Sequence, residues 1–379
     1  MIMHNLLIPP FPLHYRFNMS DVSLPTELPF DINQFEQICS LVESEFSVEE
    51  KLIERGIPTF YVKIGEDSKT AFLRLNKKLN EMKFTPLLRP IHDRTVLRVI
   101  PKLPTRPSRI IINIVLLLAT IGTTFFTGYL LSRGLPEFIP NPYIGAAAFT
   151  IAILAILGAH EMGHKLAADK HGVEATYPYF IPGFPPIGTF GAVIQQKSLS
   201  PNKDALFDLG VSGPVIGFIV TIMVTAIGVM LSPVVAESQV PPNTSPIAVP
   251  LLFDFLIVVF AKWPMTGGNY VMLLHPVAFA GWVGMIVTTL NLLPTGMLDG
   301  GHTVRSLLGE KARVVLTFLS IALLFFFGYW LMLFFVLFLS IYKHPGPLDD
   351  VSKLSTGRKL FTMFLIVIFV LCVVPLGFF

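Results

Sequence analysis

Two histidines and a glutamate stand at the spacing of a metal hydrolase site in His160-Glu161-Met162-Gly163-His164. Residues four apart lie on one face of a helix, so His160 and His164 can bind a single ion. Glu161 follows the first histidine and can accept a proton from water at that ion. The H-E-x-x-H spacing therefore predicts hydrolytic chemistry with Glu161 as general base. The alternative is an accidental match, a risk that every short motif carries.

The composition predicts that these residues lie in a multi-pass membrane protein. The chain has 379 residues, of which 53% are hydrophobic and only 14% are charged, against about a quarter charged in soluble proteins. The net charge of +3 and the lack of a dense Lys/Arg block argue against a nucleic-acid partner. Cys39 and Cys372 support neither a disulfide framework nor a cysteine metal site. The first twenty residues have no long apolar core and do not predict a cleavable signal peptide.

The N-terminal part has the pattern of a soluble domain. We expect an irregular leader over residues 1–25 and a small soluble α+β domain over residues 26–105, which is long enough for a modest core. Apolar residues at helical spacing predict helices over 31–46 and 69–82. Alternating or apolar runs predict strands over 59–64, 84–88 and 95–100.

The rest of the chain predicts a polytopic α-helical membrane protein with about six to seven transmembrane helices. The first uncharged run has twenty-two residues, which spans a hydrocarbon core of about 30 Å. Residues 250–263 are too short to span and indicate an interfacial or re-entrant segment. Residues 314–342 fit one tilted span or, as we favour, a hairpin turning near Gly328. The first four predicted spans, 110–131, 143–160, 209–231 and 276–293, lie within a core of residues 106–342. Residues 343–379 are predicted as a cytoplasmic loop followed by the last span, 360–379.

Positive charge predicts the orientation of these spans. Lysines and arginines are concentrated before the first span, after the motif-bearing helix and after the fourth span. The positive-inside rule then places the N-terminal domain and the active-site end at the cytoplasm. Because no transit-like leader is evident, we expect a cell membrane rather than a plastid membrane.

Asp299 is the candidate third ligand. It lies at the predicted cytoplasmic end of the fourth span, where Pro294 and Gly296 interrupt regular helix. Ionisable residues at membrane depth are costly and usually functional. Two imidazoles and one carboxylate leave a fourth position for water, as in catalytic zinc sites. The alternative is a turn aspartate before two glycines.

At these residues the chain resembles the site-2 proteases, a family that cuts membrane-spanning proteins by intramembrane zinc proteolysis. The resemblance covers the core motifs of residues 143–305. It rests on the H-E-x-x-H motif and on Asn291-Leu292-Leu293-Pro294 leading to Leu298-Asp299-Gly300, which is similar to the N-x-x-P…D-G element of the family. The N-terminal domain is similar to that of the archaeal and plastid branch.

This resemblance implies one zinc ion per chain, bound by His160, His164 and Asp299, with Glu161 as base. It also implies that Asn291 stabilises the oxyanion, although a helix–helix hydrogen bond is the alternative for that residue. The implied partners are the lipid bilayer and a transmembrane protein substrate. His302 stands where many relatives have arginine; it could bind metal or substrate, but we expect a solvated loop histidine.

Two glycine-rich pieces fit the same family. Residues 188–195 resemble its G-x-x-G strand, so we expect an unwound substrate to pair with a backbone edge formed by Gly188, Gly191, Ala192, Val193 and Ile194. The alternative is an ordinary turn and short hairpin. Ser212-Gly213-Pro214 with Gly217 resembles the entry to the family's third span, where small residues allow close helix packing. We expect no chemistry from them.

Three functions therefore compete. The favoured one is an intramembrane zinc endopeptidase that hydrolyses peptide bonds near the cytoplasmic side. A prenyl-protein-type membrane metallopeptidase also uses H-E-x-x-H, but it would take its third ligand from a downstream helical glutamate, and no apolar run of this sequence supplies one. A membrane sensor or carrier would bind metal without hydrolysis, and it would not need Glu161 beside its first ligand.

Overall fold

The computed structural model describes residues 31–102, 104, 107–240, 244–264, 268–326, 328–340 and 344–373. These residues form two compact units. One contains the described part of residues 1–104 together with Leu348–Ser352, and the other contains the described remainder. The predicted leader over residues 1–25 and the end of the predicted last span lie outside the described residues.

The N-terminal unit packs two helices on a four-stranded antiparallel sheet with strand order β1-β2-β4-β3. The two predicted helices and three predicted strands all form, whereas β1 is additional. Strand β1 is an edge strand rich in exposed charged residues. Such charges prevent the edge from pairing with another chain, but they also remove the alternation of apolar and polar residues that predicts a strand. The elements are α1 (Ile32–Glu45), β1 (Ser47–Glu54), β2 (Ile57–Lys63), α2 (Ser68–Glu81), β3 (Phe84–Ile91) and β4 (Arg94–Pro101).

A distant segment completes this sheet at its other edge. Leu88 in β3 donates its N–H to the carbonyl of Leu348 at 2.9 Å, and it accepts the N–H of Asp350 at 3.1 Å. The side chain of Arg89 also donates to the Leu348 carbonyl, at 2.7 Å. Residues 348–352 were expected only as part of a loop, because one short parallel bridge leaves no periodic pattern in the sequence.

The second unit is mostly helical. Helix α5 lies at its centre and packs against α4, α7 and α8. Among its described residues, three helices (α3, α4 and α5) are long and apolar enough to cross a membrane, and α6 and α7 are shorter apolar helices. The elements are α3 (Ile110–Arg133), α4 (Pro142–Lys170), β5 (Tyr179–Pro182), β6 (Thr189–Val193), α5 (Lys203–Leu231), β7 (Val234–Ala236), α6 (Leu251–Phe260), β8 (Tyr270–Met272), α7 (Pro276–Leu292), α8 (Asp299–Leu308), α9 (Glu310–Phe326), α10 (Trp330–Ser340) and α11 (Thr356–Cys372).

Local sequence explains where the central helices begin. Asn141 accepts the N–H of Tyr143 at 3.0 Å, and Pro142 occupies the first turn of α4, where its missing N–H costs nothing. Asn202 caps α5 by accepting the N–H of Ala205 at 2.9 Å. Local capping by an asparagine therefore sets the first residue of both helices.

Of the two ambiguous apolar stretches, the first forms one short helix and the second forms a pair of helices. Helix α6 has 10 residues, about 15 Å of helix, which is too short to span a bilayer. The run over 314–342 is divided at Gly328, whose φ of +74° ends one helix and starts a turn. Leu324 of α9 then packs with Leu333 and Val336 of α10. The favoured hairpin is thus what the structure contains.

Candidate metal centre

The three predicted ligands meet at one point. His160 and His164, in the C-terminal half of α4, are only 5% and 8% exposed, and their Nε2 atoms lie 3.1 Å apart. Asp299 is the first residue of α8, and its Oδ2 lies 3.2 Å from each of those nitrogens. The three donor atoms form a nearly equilateral triangle, so Asp299 lies where a third ligand would stand and is not isolated in a turn.

The triangle fits a tetrahedral zinc ion. Zinc–nitrogen and zinc–oxygen bonds of 2.0–2.2 Å at tetrahedral angles put neighbouring donor atoms about 3.3 Å apart. The edges of 3.1, 3.2 and 3.2 Å are close to that separation. Among the residues that the structure describes, this trio is the one cluster of His, Cys, Asp or Glu able to hold a metal. Two neutral imidazoles and a carboxylate suit zinc chemically.

The irregular loop before Asp299 is tied to α9. Helix α7 ends at Leu292, and Gly296, with a φ of +47°, lies in the non-helical segment that the sequence predicted here. Its N–H faces Thr317 Oγ1 at 3.3 Å, and its carbonyl accepts a hydrogen bond from Arg313 Nη1 at 3.1 Å. Glu310 in turn holds Arg313 at 2.6 Å. Buried backbone groups outside regular helix need such hydrogen-bond partners, and α9 supplies them.

A carbonyl of α5 orients one ligand. His164 Nδ1 lies 2.7 Å from the backbone oxygen of Leu209, so this nitrogen carries the proton and donates it. His164 Nε2 is then the unprotonated atom, directed at His160 and Asp299. A hydrogen bond at the ring nitrogen that does not bind the metal is the usual means of fixing the tautomer of a metal-ligating histidine.

Glu161 is buried beside the triangle, with 7% of its surface exposed. The backbone N–H of Ile194 lies close to its carboxylate. Ile194 directly follows β6, so the predicted substrate-binding strand reaches the predicted base. In the hairpin, Phe180 pairs with Ala192 and Ile181 pairs with Gly191.

Helix α3 anchors this hairpin. Gly188 has a φ of +81° and packs so closely on α3 that a Cβ there would lie 2.8 Å from Thr123 O and 2.9 Å from Thr124 Cα. Asn113 donates its side-chain N–H groups to the carbonyls of Tyr177 and Pro178, both at 2.9 Å. Gly191, in contrast, has open space where a Cβ would point.

Asn291 and His302 are placed less centrally. Asn291 lies half-buried in the last turn of α7 and forms no side-chain hydrogen bond within the described residues, so the helix–helix alternative gains no support. His302 lies on α8, and its Nδ1 is 2.6 Å from Nε2 of His344. The expectation of a solvated loop histidine is wrong, because the His344 side chain covers that ring nitrogen.

Sequence reasoning missed the contribution of α5. Gly213 and Gly217 were assigned to helix packing alone, yet both face the ligand imidazoles. Their small size was the only available signal, because nothing local shows which residue a glycine faces.

Comparison with known proteins agrees with this geometry. Residues 148–335 match the model of peptidase family M50, a stretch that contains all three ligands, Glu161 and the β5–β6 hairpin. The chain belongs to peptidase family M50. The resemblance to the site-2 proteases, drawn from the paired motifs, is confirmed by this M50 match.

The curated relatives of this M50 chain include three plant proteins. It is 30% identical over 298 residues to the probable zinc metalloprotease EGY1, chloroplastic, of Arabidopsis thaliana, covering 72% of this chain and 54% of that protein. It is 32% identical over 248 residues to the EGY1 protein of Oryza sativa subsp. japonica, covering 62% and 42%. The EGY2 protein of Oryza sativa subsp. indica is 26% identical over 304 residues, covering 73% and 52%. The chain spans about half the length of the curated relatives it matches, and no solved structure matches it.

Proposed function

We propose that this chain is an intramembrane zinc endopeptidase that hydrolyses peptide bonds of membrane-spanning proteins near the cytoplasmic side. The observation that carries the proposal is the triangle formed by His160, His164 and Asp299, with the buried Glu161 beside it. One zinc ion per chain, when bound by these three residues, supplies the Lewis acidity that makes water a nucleophile at neutral pH. The relatives are named as probable zinc metalloproteases, which agrees with this chemistry.

The chain's own residues handle the protons and the developing charge. Glu161 accepts a proton from the attacking water on its carboxylate and returns it to the leaving amine. The Ile194 N–H restrains that carboxylate next to the substrate strand. Asn291 donates its amide N–H to the oxyanion, a role open to a side chain that has no hydrogen-bond partner among the described residues.

The substrate is held in an extended form along residues 188–194. A helix hides its peptide bonds, whereas an unwound segment can add to a strand through backbone hydrogen bonds. Strand β6 ends beside Glu161, and Gly191 leaves open space next to its backbone. These two features favour a substrate-binding role for residues 188–194 over the alternative of an ordinary turn and short hairpin.

The membrane setting follows from the apolar helices. We assign the protease core to residues 106–342, with the metal end of α4 on the side rich in lysine and arginine. That side is the cytoplasm if the protein lies in a cell membrane, as the sequence predicts. The curated relatives are chloroplastic by name, so fractionation of tagged full-length protein is the measurement that tests the location.

The decisive test is a cleavage assay on a single-span substrate with purified protein. Glu161→Gln keeps the size of the side chain, so we expect it to retain one zinc per chain and to lose cleavage by about 10²–10⁴-fold. Glu137→Gln, an exposed change between α3 and α4, is the matched control and should cleave normally. Full cleavage by Glu161→Gln would refute the mechanism with Glu161 as general base. A wild type that binds zinc yet leaves every substrate intact would favour the sensor or carrier instead.

A further inference from the structure

Three glycines on one face of α5 contact the three metal ligands or their immediate backbone. Gly210, Gly213 and Gly217 are spaced three and four residues apart, so they share one side of the helix. The sequence suggested only close helix packing for this stretch. The structure shows that each glycine faces a different ligand.

The two ligand histidines lie directly on this face. A Cβ added to Gly213 would overlap the edge of the His164 ring, including its Nε2 atom. A Cβ added to Gly217 would lie 3.1 Å from His160 Cβ and 3.2 Å from His160 Nδ1. The first contact is impossible without moving His164, and the second is tighter than ordinary van der Waals contact.

The third ligand and the backbone of α4 meet the same face. A Cβ on Gly210 would lie 2.8 Å from the backbone oxygen of Asp299 and 2.9 Å from His302 Cβ. From the opposite side, Gly163 of the H-E-x-x-H motif packs on α5, where a Cβ would lie 2.6 Å from Ser212 O. Helices α4 and α8 therefore both rest on the backbone of α5 at the site.

We propose that the glycine face of α5 (Gly210, Gly213 and Gly217) is a positioning element that sets the separation of the three metal ligands. This inference rests on the metal site of the proposed function. Metal–ligand distances tolerate only about 0.2 Å, and the donor atoms lie 3.1–3.2 Å apart. A methyl group between α5 and His164 shifts the ring by more than that tolerance, so the triangle opens.

Plain helix packing is the competing explanation, and α5 offers a direct comparison. Near its other end, Gly228 packs against the backbone of α7, where a Cβ would overlap Ala278 and lie 2.7 Å from Val277 C. That contact is as tight as the one at Gly213 but involves none of the three ligands. If the glycines serve packing alone, substitutions at 213 and 228 should have the same consequences.

The test is cobalt binding by the full-length protein purified in detergent, with Co²⁺ as the probe in place of zinc. Affinity comes from competition with a chelator, the visible absorption bands report ligand geometry, and thermal unfolding reports stability. We expect Gly213→Ala to bind Co²⁺ about 10–100-fold more weakly, as for lost outer-shell partners, with altered bands. Gly228→Ala should lower the melting temperature but keep the wild-type affinity and bands per folded molecule.

Gly217→Ala keeps the proposal testable if Gly213→Ala does not fold, because its contacts are milder. We expect it to fold and to shift the cobalt bands. Wild-type bands and affinity in Gly217→Ala and in any folded Gly213→Ala would overturn the proposal, as would equal band changes in Gly228→Ala. A wild type that fails to bind Co²⁺ would instead refute the metal site itself.

Discussion

Arg313 of α9 donates a hydrogen bond from Nη1 to the backbone oxygen of Gly296 at 3.1 Å, inside the loop that delivers Asp299 to the metal centre. Arg313 is 4% exposed, and the same guanidinium is held by Glu310. The irregular backbone between α7 and α8 thus depends on a side chain from the next helix. The geometry of the third ligand is linked to α9 through this bond.

Removing that side chain should loosen the third ligand. In Arg313→Met the Gly296 carbonyl is left buried without its charged partner, which costs about 1–3 kcal/mol. We expect a lower melting temperature and weaker zinc binding, measured by metal analysis after chelator competition. Lys311→Met changes an exposed cation two residues earlier and should leave both unchanged. Equal zinc affinity in Arg313→Met and wild type would show that α9 does not position Asp299.

Asp299→Asn should disrupt metal binding more strongly than any change outside the ligand set. The amide keeps the shape of the side chain but removes the charge of the carboxylate. Losing outer-shell partners weakens binding by about 10–100-fold, so losing a ligand should exceed about 100-fold. Zinc content per chain and cleavage rate are the two measurements. Asp254→Asn, which changes an exposed carboxylate on α6, serves as the control. Unchanged zinc content in Asp299→Asn would show that Asp299 is not a metal ligand.

Gly188→Ala should displace the substrate strand. The left-handed backbone at φ +81° costs about 1–2 kcal/mol for a residue with a Cβ, and here the Cβ also meets the backbone of α3. Gly172 has a similar φ of +65° with open space around it, so Gly172→Ala carries the backbone cost alone. We expect slower cleavage with normal zinc content only in Gly188→Ala. If both variants cleave equally well, the position of the hairpin does not limit the reaction.

Asp349→Ala should release the segment added to the N-terminal sheet. Asp349 is fully buried, and its Oδ1 accepts the N–H groups of Val351 and Ser352, both at 2.9 Å. Losing these bonds costs about 1–3 kcal/mol locally. Hydrogen exchange should become faster at the amides of Leu88 and Asp350 and stay slow between β1 and β2. Asp67→Ala, an exposed change beside α2, is the control, and unchanged exchange at Leu88 would contradict the expectation.

The sequence by itself determined the elements whose causes are local. Helical periodicity located α1 and α2, and the cap at Asn141 with Pro142 located the start of α4. The four-residue spacing of His160 and His164 determined that both imidazoles face one ion, because neighbouring turns of one helix impose it. The paired motifs were enough to assign the family.

Only the tertiary structure decided which distant residues meet. The contact of Asp299 with both histidines, the pairing of His302 with His344 and the addition of residues 348–352 to β3 all join segments far apart in the chain. Such contacts depend on how helices and strands pack, and packing leaves no period in the sequence. The glycines of α5 show this most clearly. A small residue indicates that another part of the chain packs close to it, but it does not indicate that this neighbour is a metal ligand.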